Sequence, residues 1–308
     1  MSKRKKDPLI TIIGVPTNSS GKIDGVARGP SALRQAGLID VLANYCDVHD
    51  YGDVLFSQPI PEKSAASGVI AERSLVSMIY AVRTAVNNVL AEERFPLVIG
   101  GDCPLLLGCL AAARDIHNRI AMLFVDGHED AYATYQSPTG EAADMELGFA
   151  LGLEMTGLPH EIIGLIPMIK LDNVALLGPC DKKILQHMVV SSLSKEVEFY
   201  DDNTLRNENV ENLTRSVLSR LKGGSNGWWL HVDLDVLSTD SLPAVDYQQP
   251  GGLNWEQLEK LTTTALSTDH NVGWNVTIYN PDLDPDSRFA KRIVHYLASA
   301  MRSWPFKK

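Results

Sequence analysis

Apolar runs of strand length recur along the chain, at Leu9 to Val15, Pro96 to Ile99, Ile120 to Val125, Val174 to Leu177, Val197 to Tyr200, Trp228 to Val232 and Val272 to Ile278. Between them, apolar residues return at helical spacing over Ser31 to Ala43, Ala65 to Glu92, Pro104 to Ile116, Asp144 to Met155, Lys182 to Leu193, Leu205 to Leu221, Trp255 to Leu266 and Ser287 to Met301. Strand and helix alternate almost throughout, which predicts an α/β protein: a mostly parallel sheet covered by helices on both faces, in three α/β/α layers. No Pro-, Gly- or Ser-rich linker and no internal repeat interrupts the alternation. A single domain over residues 9–308 follows, preceded by a basic, flexible tail at 1–8 that contains Lys3, Arg4, Lys5 and Lys6.

Composition narrows the picture only modestly. Of 308 residues, 44% are hydrophobic and 21% charged, the values of an ordinary globular chain with ample core. No apolar run is long enough to span a bilayer, and the N-terminus lacks a secretory cleavage pattern, so no membrane association and a cytoplasmic location are expected. A formal net charge of −10 would repel polyanions, which argues against nucleic acid as a partner. Cys46, Cys103, Cys109 and Cys180 have neither paired-zinc spacing nor the density of a disulfide framework, so reduced thiols are the default.

The chemistry gathers where apolar runs end. Asp126-Gly127-His128-Glu129-Asp130 follows the run closing at Val125, and Asp233-Leu234-Asp235 follows the run closing at Val232. Ligands of open α/β sheets bind beyond the carboxyl ends of strands. Side-chain alternation puts Asp126, His128 and Asp130 on one side of an extended segment, and Asp233 with Asp235 likewise. Carboxylates with one imidazole suit Mn or Mg, and Zn less well. One such cluster is often no more than helix capping or turn formation; two at strand ends favour a metal site.

Three further loops stand at strand or helix boundaries. Gly100-Gly101-Asp102-Cys103-Pro104 links a strand to a helix, with glycines that allow close backbone approach. Residues 137–146 carry Glu141, Asp144 and Glu146, which either complement the dipole of the following helix or face a ligand. Gln249-Pro250-Gly251-Gly252-Leu253 has the composition of a turn.

Taken together, these motifs resemble the ureohydrolase superfamily of arginases, agmatinases and formimidoylglutamases, over nearly the whole chain. Gly25 to Pro30 with Ala32-Leu33-Arg34, Gly100-Gly101-Asp102, the Asp-x-His-x-Asp set at 126–130, the Asp-x-Asp pair at 233–235, Pro250 to Leu253 and Asn280-Pro281 carry the likeness. The resemblance implies a parallel-sheet α/β/α fold, two Mn2+ ions and a homo-oligomer, commonly a trimer or hexamer. It implies that Asp126 and Asp233 are shared between the ions, that His128 and Asp235 bind one, and that Asp130 binds the other. Paired cations sharing a water would generate hydroxide near neutral pH, able to attack a trigonal amidine carbon, with Asp130 also bonding the nucleophile.

Four positions depart from the pattern. Cys103 stands where relatives have a metal-binding His, and is either a soft ligand or a buried thiol filling space. Ile278 replaces the arginase Glu that holds the guanidinium, Ala143 a proton-transfer His, and Lys183 falls near an acidic substrate contact. The resulting expectation is a binuclear-metal hydrolase of a linear C–N bond in a small guanidino, amidino or formimino compound, other than an authentic arginase. Glu141, Asp144 and Glu146 are the substrate-contact candidates, Glu141 first. The alternative is a non-catalytic homologue acting as an oligomeric regulator or ligand sensor; two-metal phosphoester chemistry lacks a basic clamp.

Overall fold

The computed structural model describes residues 9–304 apart from Glu154. Every apolar run becomes a strand, and a polar segment adds one more. The strands are β1 (Leu9–Val15), β2 (Asp47–Asp53), β3 (Phe95–Gly100), β4 (Ile120–Val125), β5 (Val174–Leu177), β6 (Glu198–Tyr200), β7 (Gly227–Asp233) and β8 (Asn271–Thr277). They form one 8-stranded sheet in the order β2-β1-β3-β8-β7-β4-β5-β6, and every neighbouring pair is parallel. All residues of β3, β4, β7 and β8 are buried, as befits central strands covered on both faces. The basic tail expected at residues 1–8 lies outside the described residues.

The helices are α1 (Gly29–Gln35), α2 (Leu38–Ala43), α3 (Glu72–Ala91), α4 (Leu105–His117), α5 (Glu146–Leu151), α6 (His160–Ile163), α7 (Lys182–Met188), α8 (Asp202–Asn207), α9 (Val210–Lys222), α10 (Trp255–Leu266) and α11 (Arg288–Met301). They divide the core in two. On one face Leu123 and Leu230 pack with Leu33, Leu38, Val217, Leu258 and Ile293 from α1, α2, α9, α10 and α11. On the other, Phe124 and Trp229 pack with Met78, Leu110 and Phe149 from α3, α4 and α5. Adjacent strand residues thus feed opposite cores, the period-two rule on a doubly covered sheet.

Several predicted helices are shorter than their periodicity suggests, each for a local reason. Gly37 at φ 92 divides Ser31 to Ala43 into α1 and α2. The segment expected to be helical from Ala65 becomes α3 only at Glu72, after Gly68 and Ala71 adopt positive φ. Asn209, whose side chain accepts from Asn212 N, restarts the chain as α9 after α8.

Topology fixes where a site can lie. The chain runs from β3 to β4 while leaving space that β8 and β7 later fill. The carboxyl ends of β3, β8, β7 and β4 therefore open side by side, and the glycine-rich loop and both acidic clusters emerge there.

Candidate metal centre

Asp126 leaves the end of β4 with no solvent exposure. Its Oδ1 accepts from His128 N at 2.8 Å, whereas Oδ2 has no hydrogen-bond partner among the described residues. His128 Nδ1 lies 3.0 Å from Asp235 Oδ2 and 3.7 Å from Asp126 Oδ1. Glu129 turns away from this face, accepting from Ser192 Oγ at 2.6 Å and from Leu193 N. Asp126, His128 and Asp130 do share this face, but through a bend at Gly127 and His128 and a left-handed Asp130 at φ 43, which Asp tolerates, rather than through alternation of an extended segment.

The second cluster meets the first from β7. Asp233 Oδ1 accepts from Asp235 N at 2.7 Å, and Asp235 Oδ1 accepts from Gly127 N at 3.1 Å. A Cβ on Gly127 would stand 2.8 Å from Asp235 O, so glycine is what lets the two clusters touch. Cys103 Sγ donates to Asp233 Oδ2 and lies 3.1 Å from Thr277 Oγ1. Asp102 secures that loop by accepting from Ser19 N at 2.7 Å and Cys103 N at 2.9 Å.

Three overlapping sets of ligand atoms result, each lying within 4.8 Å of one another: Asp126, His128 and Asp130; Asp126, Asp233 and Asp235; and Cys103, Asp126, Glu146 and His231. Asp126 belongs to all three.

Electrostatics at the cluster show what it lacks. Burial opposes ionisation of Asp126, yet the His128 and His231 rings outweigh it and hold the carboxyl at about 2. Burial likewise opposes the His128 imidazolium, but Asp235 and the other carboxylates push its pKa well up. Burial, followed by the charges of Glu146 and Asp126, drives Asp130 well above the usual carboxylate range, burial with Asp235 and Asp126 does the same to Asp233, and burial raises Asp235 against the pull of His128. Buried carboxylates this close can all ionise only beside compensating positive charge. Among the described residues, Asp126 Oδ2 and both Glu146 carboxylate oxygens have no hydrogen-bond partner, so that need is unmet there. Oxygen-rich donors with imidazole fit a divalent cation.

A cavity of 160 Å3 opens over this cluster, lined by Cys103, His128, Asp130, Asp233 and Asp235 below and by Glu141, Ala143, Asp144, Tyr247 and Ile278 above. Beside it lies a wider, 420 Å3 cavity with Asp24, Asp102, Asp246 and Asp282 in its walls; Glu141, Tyr247 and Ile278 border both. Asp144 Oδ2 accepts from Ser137 Oγ and Thr139 Oγ1, both at 2.8 Å, and burial pushes its pKa to about 6.

Glu146 does not share this position. It has no solvent exposure and is not part of either cavity wall, because it opens α5 beneath the loop. The loop therefore presents Glu141 and Asp144 to the cavity and sends Glu146 into the ligand cluster. His231, Asp102, Asp246 and Tyr247 carry no role in the sequence reading. His231 was within reach of it, since it has the same strand parity as Asp233.

Fold and cluster together define an α/β/α protein with a candidate metal centre at its central strand ends. The arginase family model matches residues 9–302, and the chain belongs to the arginase family. It is similar to the arginase of Bacillus caldovelox, at 29% identity over 303 residues, covering 94% of this chain and 97% of that enzyme. Human Arginase-1 is 26% identical over 295 residues, covering 94% and 90% of the two chains. Among solved structures, native Bacillus caldovelox arginase superposes with a TM-score of 0.80 at 27% identity, covering 98% of this chain and 99% of that one. Formimidoylglutamase from Bacillus subtilis shares the fold, with a TM-score of 0.74 at 17% identity, covering 98% and 88%. The curated relatives named here are arginases, so similarity lends no support to the expectation of a substrate other than arginine.

Proposed function

We propose that this chain is a divalent-metal hydrolase that cleaves a linear C–N bond of a cationic guanidino, amidino or formimino compound. One observation carries the reading: a buried carboxylate cluster in which Asp126 joins three ligand sets forms the floor of a cavity with acidic walls. Asp126, His128, Asp130, Asp233, Asp235 and Cys103 would hold two ions, with Mn2+ the first candidate for a set dominated by oxygen donors. Bound divalent cations supply a water acidified enough to act as a nucleophile near neutral pH.

The chain's own groups do the rest. Asp130 borders the cavity and can accept a hydrogen bond from the attacking water and then pass its proton towards the departing nitrogen. Glu141 and Asp144 face the same space and pair with the cationic head of the substrate. Ile278 contributes an apolar wall and no charge, so recognition of the cation shifts from the end of β8 to the loop at 137–146. Family resemblance further suggests a cytoplasmic homo-oligomer.

The test is a panel of guanidino and formimino compounds, arginine and agmatine among them, incubated with Mn-loaded protein while ammonia, urea and formamide are measured. Turnover of one panel member with product in stoichiometric amount is expected. Tight binding of divalent metal with no hydrolysis of any member would instead favour a ligand sensor.

A further inference from the structure

Glu146 is a buried acid that the reaction as described does not use. It has no solvent exposure, and neither carboxylate oxygen has a hydrogen-bond partner among the described residues. Its ligand oxygen lies within 4.8 Å of those offered by Cys103, Asp126 and His231. The facing carboxyl of Asp130 is a further acceptor beside it. At the same spot Asp126 Oδ2, with His231 Nε2 3.5 Å away, has no hydrogen-bond partner among the described residues. A cation answers both vacancies in hydrogen bonding at once.

His231 looks like a fourth ligand by distance, but its surroundings argue otherwise. Trp229 Nε1 can only donate, and it donates to Asn275 Oδ1 at 2.8 Å. That fixes the Asn275 amide so that Nδ2 donates to His231 Nδ1 at 2.7 Å. With Nδ1 accepting, the ring hydrogen sits on Nε2, which faces Asp126 Oδ2 at 3.5 Å. A ring nitrogen bearing hydrogen has no lone pair for a metal. Stacking on Phe124, with ring centroids 4.5 Å apart, holds the imidazole in place.

We propose that Glu146 is a ligand of the cation seated between Cys103 and Asp126, and that His231 is a positioning residue for Asp126 rather than a ligand. The inference rests on the metal-hydrolase reading. Its chemical sense lies in Cys103, a soft donor for Mn2+ or Mg2+. Glu146 adds a hard oxygen at that position, and with Asp126 it brings two negative charges to a divalent ion.

Titration of metal-free protein with Mn2+, followed by elemental analysis and by the spectrum of free Mn2+, tests this directly. Glu146→Gln is expected to lose one bound ion per chain, or to weaken it by more than about 100-fold. His231→Gln should stay within the roughly 10–100-fold loss typical of outer-sphere partners. Anomalous diffraction from Mn-loaded wild-type crystals gives a readout that needs no variant: an ion about 2.0–2.6 Å from a Glu146 oxygen is expected. Unchanged stoichiometry and affinity in folded Glu146→Gln, or an ion placed away from Glu146, would overturn the assignment and leave the hydrolase reading standing. Wild type that binds no divalent metal would overturn both.

Discussion

Tyr247 Oη donates a 2.9 Å hydrogen bond to Glu141 Oε2 across the rim shared by the two cavities, joining residues 106 positions apart in sequence. Burial, reinforced by Glu141, raises the phenol pKa, so Tyr247 stays a donor. One Glu141 oxygen is thereby fixed while the carboxylate borders both cavities. A hydrogen bond to a charged group contributes about 1.5–3 kcal/mol. Glu141→Gln should therefore lower kcat/KM by roughly 10–100-fold with metal content unchanged. Tyr247→Phe should raise KM several-fold while sparing kcat. Full activity in both variants would reduce the loop to a connection leading into α5.

Asp126 appears in every ligand set, whereas Asp130 appears in one. Metal-dependent stabilisation should separate the two. A site filled at 100 times its Kd adds about 2.7 kcal/mol, enough to raise Tm by several degrees in a domain of this size. Mn2+ is expected to raise the Tm of the wild type by that order, to raise that of Asp130→Asn by less, and to leave Asp126→Asn unmoved. Differential scanning fluorimetry with Mn2+ or chelator provides the check, and an undiminished rise in Asp126→Asn would sink the central role of that carboxylate.

How far the sequence discloses this arrangement depends on what each residue's signal rests on. Buried parallel strands read as apolar runs, so β1, β4 and β5 have the bounds that their hydrophobic pattern predicts. β2 is polar and mostly exposed at the sheet edge, so no run announces it. The two acidic clusters are legible because ligand types recur at period two immediately after strands. Glu146 is not, because only the turn from the loop at 137–146 into α5 decides whether an acid faces the cavity or the layer beneath it. His231 was legible by parity with Asp233, but its donor role depends on Trp229 and Asn275, contacts that only the folded sheet brings together.

Asp181, just before α7, offers a pH signature. Burial foremost pushes its carboxyl from 3.8 up to about 7, and among the described residues Oδ1 has no hydrogen-bond partner while Oδ2 accepts from Glu129 N at 3.1 Å. The folded metal-free protein then binds this proton more tightly than the unfolded chain. Its contribution to stability is complete below the unfolded pKa of 3.8 and is lost as pH rises through about 7. Asp181→Asn, which cannot ionise, should show a flatter fall in stability between pH 5 and pH 8, by on the order of a few kcal/mol. Urea midpoints measured with chelator present would reveal it; parallel slopes for variant and wild type would contradict the cause assigned here.

Cys103 sets the metal preference if its thiol faces the ion. It is buried, pointed at Asp233, and part of the cavity lining, so a larger side chain has open space in one direction. Cys103→Ser exchanges a soft donor for a hard one at nearly constant volume, and should weaken Zn2+ more than Mn2+. Cys103→His supplies imidazole and should tighten Mn2+, at a cost of about 1–3 kcal/mol in metal-free stability from crowding against Thr277 and its neighbours. The cavity should shrink as well, raising KM for the bulkier substrates first. Competition dialysis of Zn2+ against Mn2+ for the three proteins, set beside their metal-free urea midpoints, separates donor chemistry from packing. An unchanged Zn-to-Mn ratio in Cys103→Ser would show that sulfur takes no part in binding, and that the Asp233 contact is its whole role.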